Sequence, residues 1–124
     1  MKQDLIEKLI ERLLDGEQKP SELINIDQLF MGKYCVIRSH NAGVFVGKLL
    51  KKQGQSVLLA DAIRIHRWSG ACSLSQLALE GVKKPEDCKF ALPLQKIVIE
   101  QVVEVIPCTD FAVKNIKDVP VWKI

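Results

Sequence analysis

From Lys33 onward, polar and apolar residues alternate with a period of two, and this alternation constrains the fold more than any other feature of the chain. Successive side chains of a β-strand point to opposite faces of a sheet, so KYCVIRS (33–39) and VFVGKLLKK (44–52) are typical of strands. The segment HNAG between them is rich in turn residues, and Asn41 and Gly43 both tolerate a positive φ. Residues 33–52 therefore predict a β-hairpin.

The strand pattern continues beyond this hairpin. A turn over 53–55 precedes SVLLADAIRIHRW (56–68), which predicts one or two further strands. After a loop over 83–87, KFALPLQKIVIEQVVEVIP (89–107) predicts a strand pair or a single bent strand, with Pro93 at an edge or a break. We expect the tail DVPVWKI (118–124) to be extended.

Helical periodicity is confined to short segments. Residues 3–15 predict an amphipathic helix that ends at Gly16. Its apolar face, here called the N-terminal stripe, consists of Leu5, Ile6, Leu9, Ile10, Leu13 and Leu14. The stripe either covers the sheet of its own domain or contacts another subunit. A second short helix is predicted over 20–29, Ser73 is placed to cap a helix SLSQLALEG, and Thr109 to cap a helix TDFAVKNIK.

Strands grouped in the middle of the chain, with helices towards its ends, predict an α+β domain. We expect an N-terminal amphipathic helix followed by an antiparallel curled sheet or small barrel, with a short C-terminal helix. A length of 124 residues suits one domain spanning 1–124. Within it, 1–31 is the expected assembly element and 32–124 the expected ligand-binding core.

Composition narrows the classes of function. A formal net charge of +3 suits weak attraction to anions but is low for a protein that coats DNA. No run of 18 apolar residues predicts a membrane span, and the acidic N-terminus does not resemble a secretory signal, so we expect a cytoplasmic protein. The four cysteines lack metal-ligand spacing, and no acyl-transfer signature surrounds Cys72, so we expect neither a metal site nor a cysteine nucleophile.

The segment AIRIHRWSGACSLSQL (62–77) is the strongest candidate for a site. If 62–68 is a strand, Arg64, His66 and Trp68 share one face, and Arg67 points to the other with the isoleucines. A ring stacks on a nucleobase, and an arginine fork binds a phosphate. The bend that follows predicts an anion nest of backbone N–H groups over 69–71, next to the N-terminus of the helix that Ser73 caps.

A structural interpretation of the same residues is equally consistent with the pattern. Trp68 is then a core residue, as tryptophan usually is, and Arg64 and Arg67 form a solvated strand edge. No glycine-rich phosphate loop and no convincing pair of carboxylates is present, so a binding protein is favoured over an enzyme.

Several segments together resemble a known family. GKYCVIR, NAGVFVGKL, AIRIHRW, SGACSLSQLALEG, CKFALPL, VIPCT and VPVWK are similar to segments of the first family of anti-Thoeris proteins, which are encoded by phages and prophages. The resemblance covers residues 32–123. It implies a non-catalytic sponge that sequesters a cyclic ADP-ribose isomer made by a host TIR-domain enzyme, and in some members also cyclic oligonucleotides at a separate site. It further implies a homo-oligomer, either a dimer or a hexamer, and no cofactor.

The resemblance and the strand alternation together select the candidate ligand-binding residues. The resemblance places Asn41 and Gly43 in a tight turn and matches Arg64, Trp68 and the bend that follows. The chain departs from its relatives at His66 and Arg67, where they tend to carry aromatic residues. The full set is Arg38, Asn41, Gly43, Arg64, His66, Arg67, Trp68, Ser69, Gly70, Ser73 and Gln76.

Two other functions remain open from the sequence. One is a small module that binds single-stranded nucleic acid on a curled sheet. The other is a phage accessory protein that interacts with a partner and binds no ligand.

Overall fold

The computed structural model describes residues 5–7 and 24–124 of the chain. Six strands and two short helices follow a 3₁₀ turn at Ile26–Gln28, and a second 3₁₀ turn lies at Pro85–Asp87. The strands are β1 (Tyr34–Ser39), β2 (Gly43–Gln53), β3 (Ser56–Arg67), β4 (Lys89–Phe90), β5 (Leu94–Ile99) and β6 (Val102–Pro107), and the helices are α1 (Leu74–Glu80) and α2 (Asp110–Lys117).

The strands form one antiparallel sheet in the order β4-β3-β2-β1-β6, and β5 also pairs with β3. The long strand β3 pairs with two strands along one edge. Its first half pairs with β5, and its end pairs with β4. Strands β5 and β6 lie at opposite edges of the sheet, yet only residues 100–101 separate them in sequence. The sheet must therefore curl until its two edges approach each other.

The curl divides the apolar residues into two cores. The inner core lies inside the curl, where Phe45 and Leu59 meet residues from both edges of the sheet, Ile99 and Val102. The helix-side core lies on the opposite face, where Ile63 and Ile65 pack against Leu77 of α1 and Ile116 of α2. Neighbouring residues of one strand alternate between the cores, as the period of two predicts.

Most of the predicted elements are confirmed. Strands β1 and β2 form the predicted hairpin, with Ser39 opposite Gly43. Residues 56–67 form one continuous strand, and 89–107 divide into three strands, with Pro93 in the break between β4 and β5. The predicted caps are also present, because Ser73 Oγ accepts a hydrogen bond from Gln76 N and Thr109 Oγ1 accepts one from Ala112 N.

The predicted helix over 20–29 is wrong in its described part, because residues 26–28 form a single 3₁₀ turn. The Asn25 side chain caps this turn, and the carboxylate of Asp27 binds Lys52 Nζ and Gly54 N. These bonds fix the turn on the β2–β3 hairpin, so the helix does not extend. Apart from residues 5–7, which are helical, the predicted N-terminal helix lies outside the described residues, and no described helix is long and apolar enough to span a bilayer.

Candidate functional site

The end of β3 carries the densest group of predicted site residues. Arg64 and His66 are exposed and lie two residues apart in the strand. Arg67 is exposed and pairs across the sheet with Lys89 of β4. Directly paired residues of neighbouring strands project from the same face, so Arg67 lies beside Lys89. The prediction that Arg67 shares a face with the isoleucines of β3 assumes strict alternation, which the register shift between Ile65 and Arg67 interrupts.

The ring that completes this group comes from the C-terminal tail. Trp122 stacks on His66 with ring centroids 5.1 Å apart and planes 12° from parallel, and Lys89 Nζ lies 5.2 Å from the indole centroid. The tail is held by a parallel bridge between Phe90 and Val121 and by a hydrogen bond from Trp122 N to Phe90 O. We define the aromatic–basic surface as Arg64, His66, Arg67, Lys89 and Trp122.

The aromatic–basic surface is open to solvent. Trp122 is 47% exposed, although tryptophan is usually well buried. The surface combines two stacked rings with three cations and includes no carboxylate. Its chemistry suits a flat anion, because rings stack on bases and cations bind phosphates.

Arg64 joins this surface to the β1–β2 turn. Its guanidinium lies 4.5 Å from the centroid of the Phe45 ring, and Nη1 donates a hydrogen bond to Ala42 O at 3.0 Å. Phe45 is the cross-strand partner of Arg64, so β2 determines where the guanidinium lies. The cation is therefore held in place while its side chain stays exposed.

The prediction that Trp68 shares a face with Arg64 and His66 is wrong. Strand β3 ends at Arg67, and Trp68 packs half-buried against the helix-side core that contains Ile63 and Ile65. The pairing with β4 also shifts register between Ile65 and Arg67. Alternation therefore does not continue to Trp68, which packs at the border of the helix-side core.

The bend after Trp68 packs against the loop over 83–88. Ser69 N donates to Cys88 Sγ at 3.3 Å, and Ser69 O accepts from Lys84 N. Gly70 has φ +86°, and a Cβ there would lie 2.5 Å from Lys83 N. Glycine is required here by close packing of two backbone segments, so part of the predicted anion nest already has protein partners.

Ser73 and Gln76 are used in capping α1. Ser73 Oγ accepts from Gln76 N, and Gln76 Oε1 accepts from Cys72 N at 2.7 Å. The first bond satisfies an orphan N–H group of the first helical turn, and the second holds Cys72, the residue before the N-cap.

The remaining predicted residues lie near the turn between β1 and β2. Arg38 forms an ion pair with Glu104 of β6, and Asn41 Nδ2 donates to Gln101 Oε1. Gly43 has φ +94° and begins β2, whereas Asn41 has no positive φ. Arg64, through Ala42, connects this turn to the aromatic–basic surface.

A second polar cluster joins α2 to the sheet. Tyr34 OH donates to Asp61 Oδ2 at 2.7 Å, and Lys117 Nζ contacts both groups. The hydrogen bond from Tyr34 and the charge of Lys117 lower the pKa of Asp61, and bonds to Tyr34 and Asp61 raise the pKa of Lys117. Asp61 has φ +49°, an uncommon conformation for a residue other than glycine.

A wide cleft borders this cluster. It is a cleft of about 780 Å³ that Tyr34 lines together with Lys33, Lys114, Lys117, Asp110 and Asp118. Three lysines against two aspartates leave little net charge. None of the predicted site residues lines it.

Three of the four cysteines have raised pKa values in the described part of the chain. Burial raises the pKa of Cys35 to about 11 and that of Cys108 to about 12. Cys88 also has a raised pKa and is bonded to the bend. Residues 5–7 and 24–124 contain no cluster of three or more His, Cys, Asp or Glu side chains that could hold a metal.

Lys89 and Trp122 are the two members of the surface that sequence reasoning missed. The extended pattern of the tail around Trp122 is a weak signal that a strand-like segment adds to the sheet edge. Nothing local in the sequence indicates which edge receives it, because Trp122 and His66 are far apart along the chain.

Geometry and topology together define a small curled antiparallel sheet with a few short helices and an exposed ring-and-cation surface. The chain belongs to the family described as a domain of unknown function, DUF6948, whose model matches residues 32–116. Comparison with curated proteins and with solved structures gave no match.

Proposed function

We propose that this protein binds a nucleotide second messenger, a cyclic ADP-ribose isomer, and sequesters it without converting it. The single observation that carries the proposal is the His66–Trp122 stack with Lys89 Nζ over the indole. The resemblance to the first anti-Thoeris family supports the same ligand class, and through it the proposal extends to a phage-encoded inhibitor of host immune signalling. Cyclic oligonucleotides are a second expected ligand.

The two rings supply the recognition of the base. A nucleobase can stack on these rings because Trp122 is 47% exposed and the two rings are already stacked on each other. Stacking on an aromatic side chain is worth about 1–3 kcal/mol per base. The ordered pair also reduces the conformational entropy that ligand binding would otherwise cost.

The cations supply the recognition of the diphosphate. Lys89 Nζ lies over the indole of Trp122, Arg67 is the cross-strand partner of Lys89, and the guanidinium of Arg64 is anchored on Ala42 O. Arginine can bind a phosphate with two parallel hydrogen bonds, whereas lysine acts as a point charge. A sponge needs this binding energy but requires no general acid or base, and we assign no catalytic residue.

Calorimetric titration with a cyclic ADP-ribose isomer tests the proposal. We expect saturable binding, and we expect intact ligand to be recovered after heat denaturation of the complex. Trp122→Ala should weaken binding about tenfold or more, because it removes a stacking contact. Trp122→Phe should retain most of the affinity.

A matched pair of lysine variants controls for nonspecific charge effects. Lys89→Ala should weaken binding, and Lys96→Ala should not, because Lys96 is an exposed cation on β5 outside the surface. Equal affinity in Trp122→Ala, Lys89→Ala and the wild type would contradict the proposed site. Recovery of a cleaved ligand would contradict sequestration without conversion.

Binding of single-stranded nucleic acid is the second candidate function. Lys83 and Lys84 are exposed and are fixed against the bend that follows Arg67, so cations continue beyond the aromatic–basic surface. Fluorescence anisotropy with a short labelled single strand tests it. Affinity for the strand that exceeds affinity for the cyclic mononucleotide, and that falls steeply with salt, would favour this function.

A further inference from the structure

The stacked rings of the aromatic–basic surface come from two segments that are distant in sequence. His66 lies on β3, and Trp122 lies on the tail that follows α2. Five residues earlier on each segment, Asp61 of β3 and Lys117 at the end of α2 form an ion pair, with Nζ and Oδ2 3.0 Å apart. Strand β3 and the segment from α2 to the tail therefore contact each other through side chains at two places.

The Lys117 ammonium is held by two partners. Nζ donates a hydrogen bond to Tyr34 OH at 2.8 Å and lies 4.4 Å from the centroid of the Tyr34 ring. Tyr34 OH in turn donates to Asp61 Oδ2 at 2.7 Å. These bonds lower the pKa of Asp61 and raise the pKa of Lys117, so both groups are charged at neutral pH. The ammonium therefore has a defined position between β1 and β3, although its side chain is 43% exposed.

The connection from Lys117 to Trp122 is short and has little freedom. Val119 is buried in the helix-side core, Pro120 restricts its own φ, and Val121 forms the parallel bridge to β4. No helix or long loop lies between the two residues to absorb a movement. A displacement at the end of α2 is therefore carried along the tail to the indole.

The rest of α2 is anchored independently of Lys117. Ile116 is buried in the helix-side core, and the Asn115 side chain bonds to both the N–H and the carbonyl of Val82. The ends of a helix fray more easily than its centre. Loss of the Lys117 contacts should therefore loosen the last turn of α2 and the start of the tail, while the helix itself remains folded.

We propose that Lys117 is a positioning residue for the ligand site. By binding Asp61 and Tyr34 it fixes the end of α2, and the tail then holds the Trp122 indole on His66. Its effect on affinity rests on the proposed function, whereas its effect on the ring pair requires no ligand. An ordered ring pair lowers the conformational entropy that binding costs.

Nuclear magnetic resonance of the free full chain measures the ring pair, because stacked rings displace each other's signals. Lys117→Met removes the charge and keeps a long side chain of good helix propensity. We expect the indole signal of Trp122 and the ring signals of His66 to move towards those of unstacked rings. The signals of Trp68 and His40 should stay in place and serve as internal references.

Lys114→Met is the matched control. Lys114 is an exposed lysine on the same helix and has no ion-pair partner in the described part of the chain, so this variant should keep the wild-type ring signals. Lys117→Arg should also keep them, because a guanidinium can bind the Asp61 carboxylate. Asp61→Asn removes the charge on the other side of the ion pair and keeps a residue type that tolerates a positive φ, so it should move the same signals as Lys117→Met.

Calorimetric titration with a cyclic ADP-ribose isomer measures the consequence for binding. An exposed ion pair has a modest energy, so we expect Lys117→Met to weaken binding about threefold and Lys114→Met to bind as the wild type does. Unchanged ring signals in Lys117→Met, or equal changes in Lys114→Met or Lys117→Arg, would overturn the proposal. Altered ring signals with wild-type affinity would overturn its link to the ligand. A wild type that binds no ligand would contradict the proposed function, and the ring signals would then decide the positioning role alone.

Discussion

Two neighbouring regions at the end of β3 use their polar groups in opposite ways. In the bend over 69–76, Ser69, Ser73 and Gln76 all bond within the protein, and Gly70 is fixed by close backbone packing. In the aromatic–basic surface, His66 and Trp122 stack on each other but remain open to solvent. The difference indicates that the bend is a scaffold and that the surface is available to a ligand.

The two tryptophans show the same contrast. Trp68 packs against the helix-side core, whereas Trp122 projects from the tail over His66. A scaffold residue should affect the free energy of unfolding, and a surface residue should affect ligand affinity. The following predictions test this division, from the largest expected effect to the smallest.

Gly70→Ala should cause the largest loss of stability. A Cβ at φ +86° would lie 2.5 Å from Lys83 N, so both the strained backbone and the steric clash oppose it, and we expect a loss of about 3 kcal/mol. Denaturant unfolding measures this loss. Gly54→Ala is the matched control, because Gly54 has φ +57° but open space around its Cβ position, and it should lose only about 1 kcal/mol. Equal losses would show that the bend is not closely packed.

Trp68→Ala should lower the free energy of unfolding by about 2 kcal/mol, less than a fully buried tryptophan because Trp68 is half-buried. Trp122→Ala should cost less than about 1 kcal/mol, since its indole is largely exposed. Thermal unfolding of both variants gives the comparison. A larger loss of stability in Trp122→Ala than in Trp68→Ala would show that the tail has a structural role, and it would contradict the division into a scaffold and a ligand surface.

Ser73→Ala and Gln76→Ala should each destabilise the protein by about 1 kcal/mol, because the first removes the N-cap hydrogen bond of α1 and the second removes the hydrogen bond from Cys72 N. Affinity for the cyclic ADP-ribose isomer should not change at temperatures where the variants are folded. Calorimetry on the folded variants measures it. A loss of affinity in the folded variants would indicate that these side chains contact the ligand.

The smallest effect should come from Asp61, which lies on β3 before both regions. Its pKa is lowered in the folded chain, so its contribution to stability is present above the ordinary carboxyl pKa and is lost as pH falls through the lowered value. Its side chain is 44% exposed, so screening limits the contribution to less than about 1 kcal/mol. Denaturant unfolding at several pH values measures this contribution. Asp61→Asn should have a lower free energy of unfolding than the wild type at pH 7, and the difference should shrink in acid. A difference that persists unchanged at pH 3 would exclude the ionised carboxylate as its source.

The elements that could be predicted from sequence are those whose determinants are local. The β1–β2 hairpin follows from a period of two around a glycine turn, and the cap of α1 follows from Ser73, a preferred N-cap residue, directly before the helix. The helix predicted over 20–29 failed because a distant lysine, Lys52, binds Asp27 and stabilises a 3₁₀ turn. Residues 26–28 carry no local signal of that contact.

The candidate site was predictable only in part. Arg64, His66 and Arg67 could be placed on one strand, but the ring was assigned to Trp68 because alternation was extended one residue beyond the end of β3. Trp122 reaches His66 through a parallel bridge at Phe90, which is a nonlocal pairing. The role of Gly70 could not be predicted from sequence alone. A glycine in an anion-binding bend and a glycine packed closely against another backbone segment have the same sequence pattern.

The two tryptophans of the chain allow one direct test of the central claim, since each contributes one indole N–H signal to a ¹H–¹⁵N correlation spectrum. Trp122→Phe identifies which signal belongs to the tail. On titration with a cyclic ADP-ribose isomer, the Trp122 signal should shift progressively and the Trp68 signal should stay in place. A shift of the Trp68 signal with an unmoved Trp122 signal would contradict the account, because it would place the ligand at the bend instead of on the aromatic–basic surface.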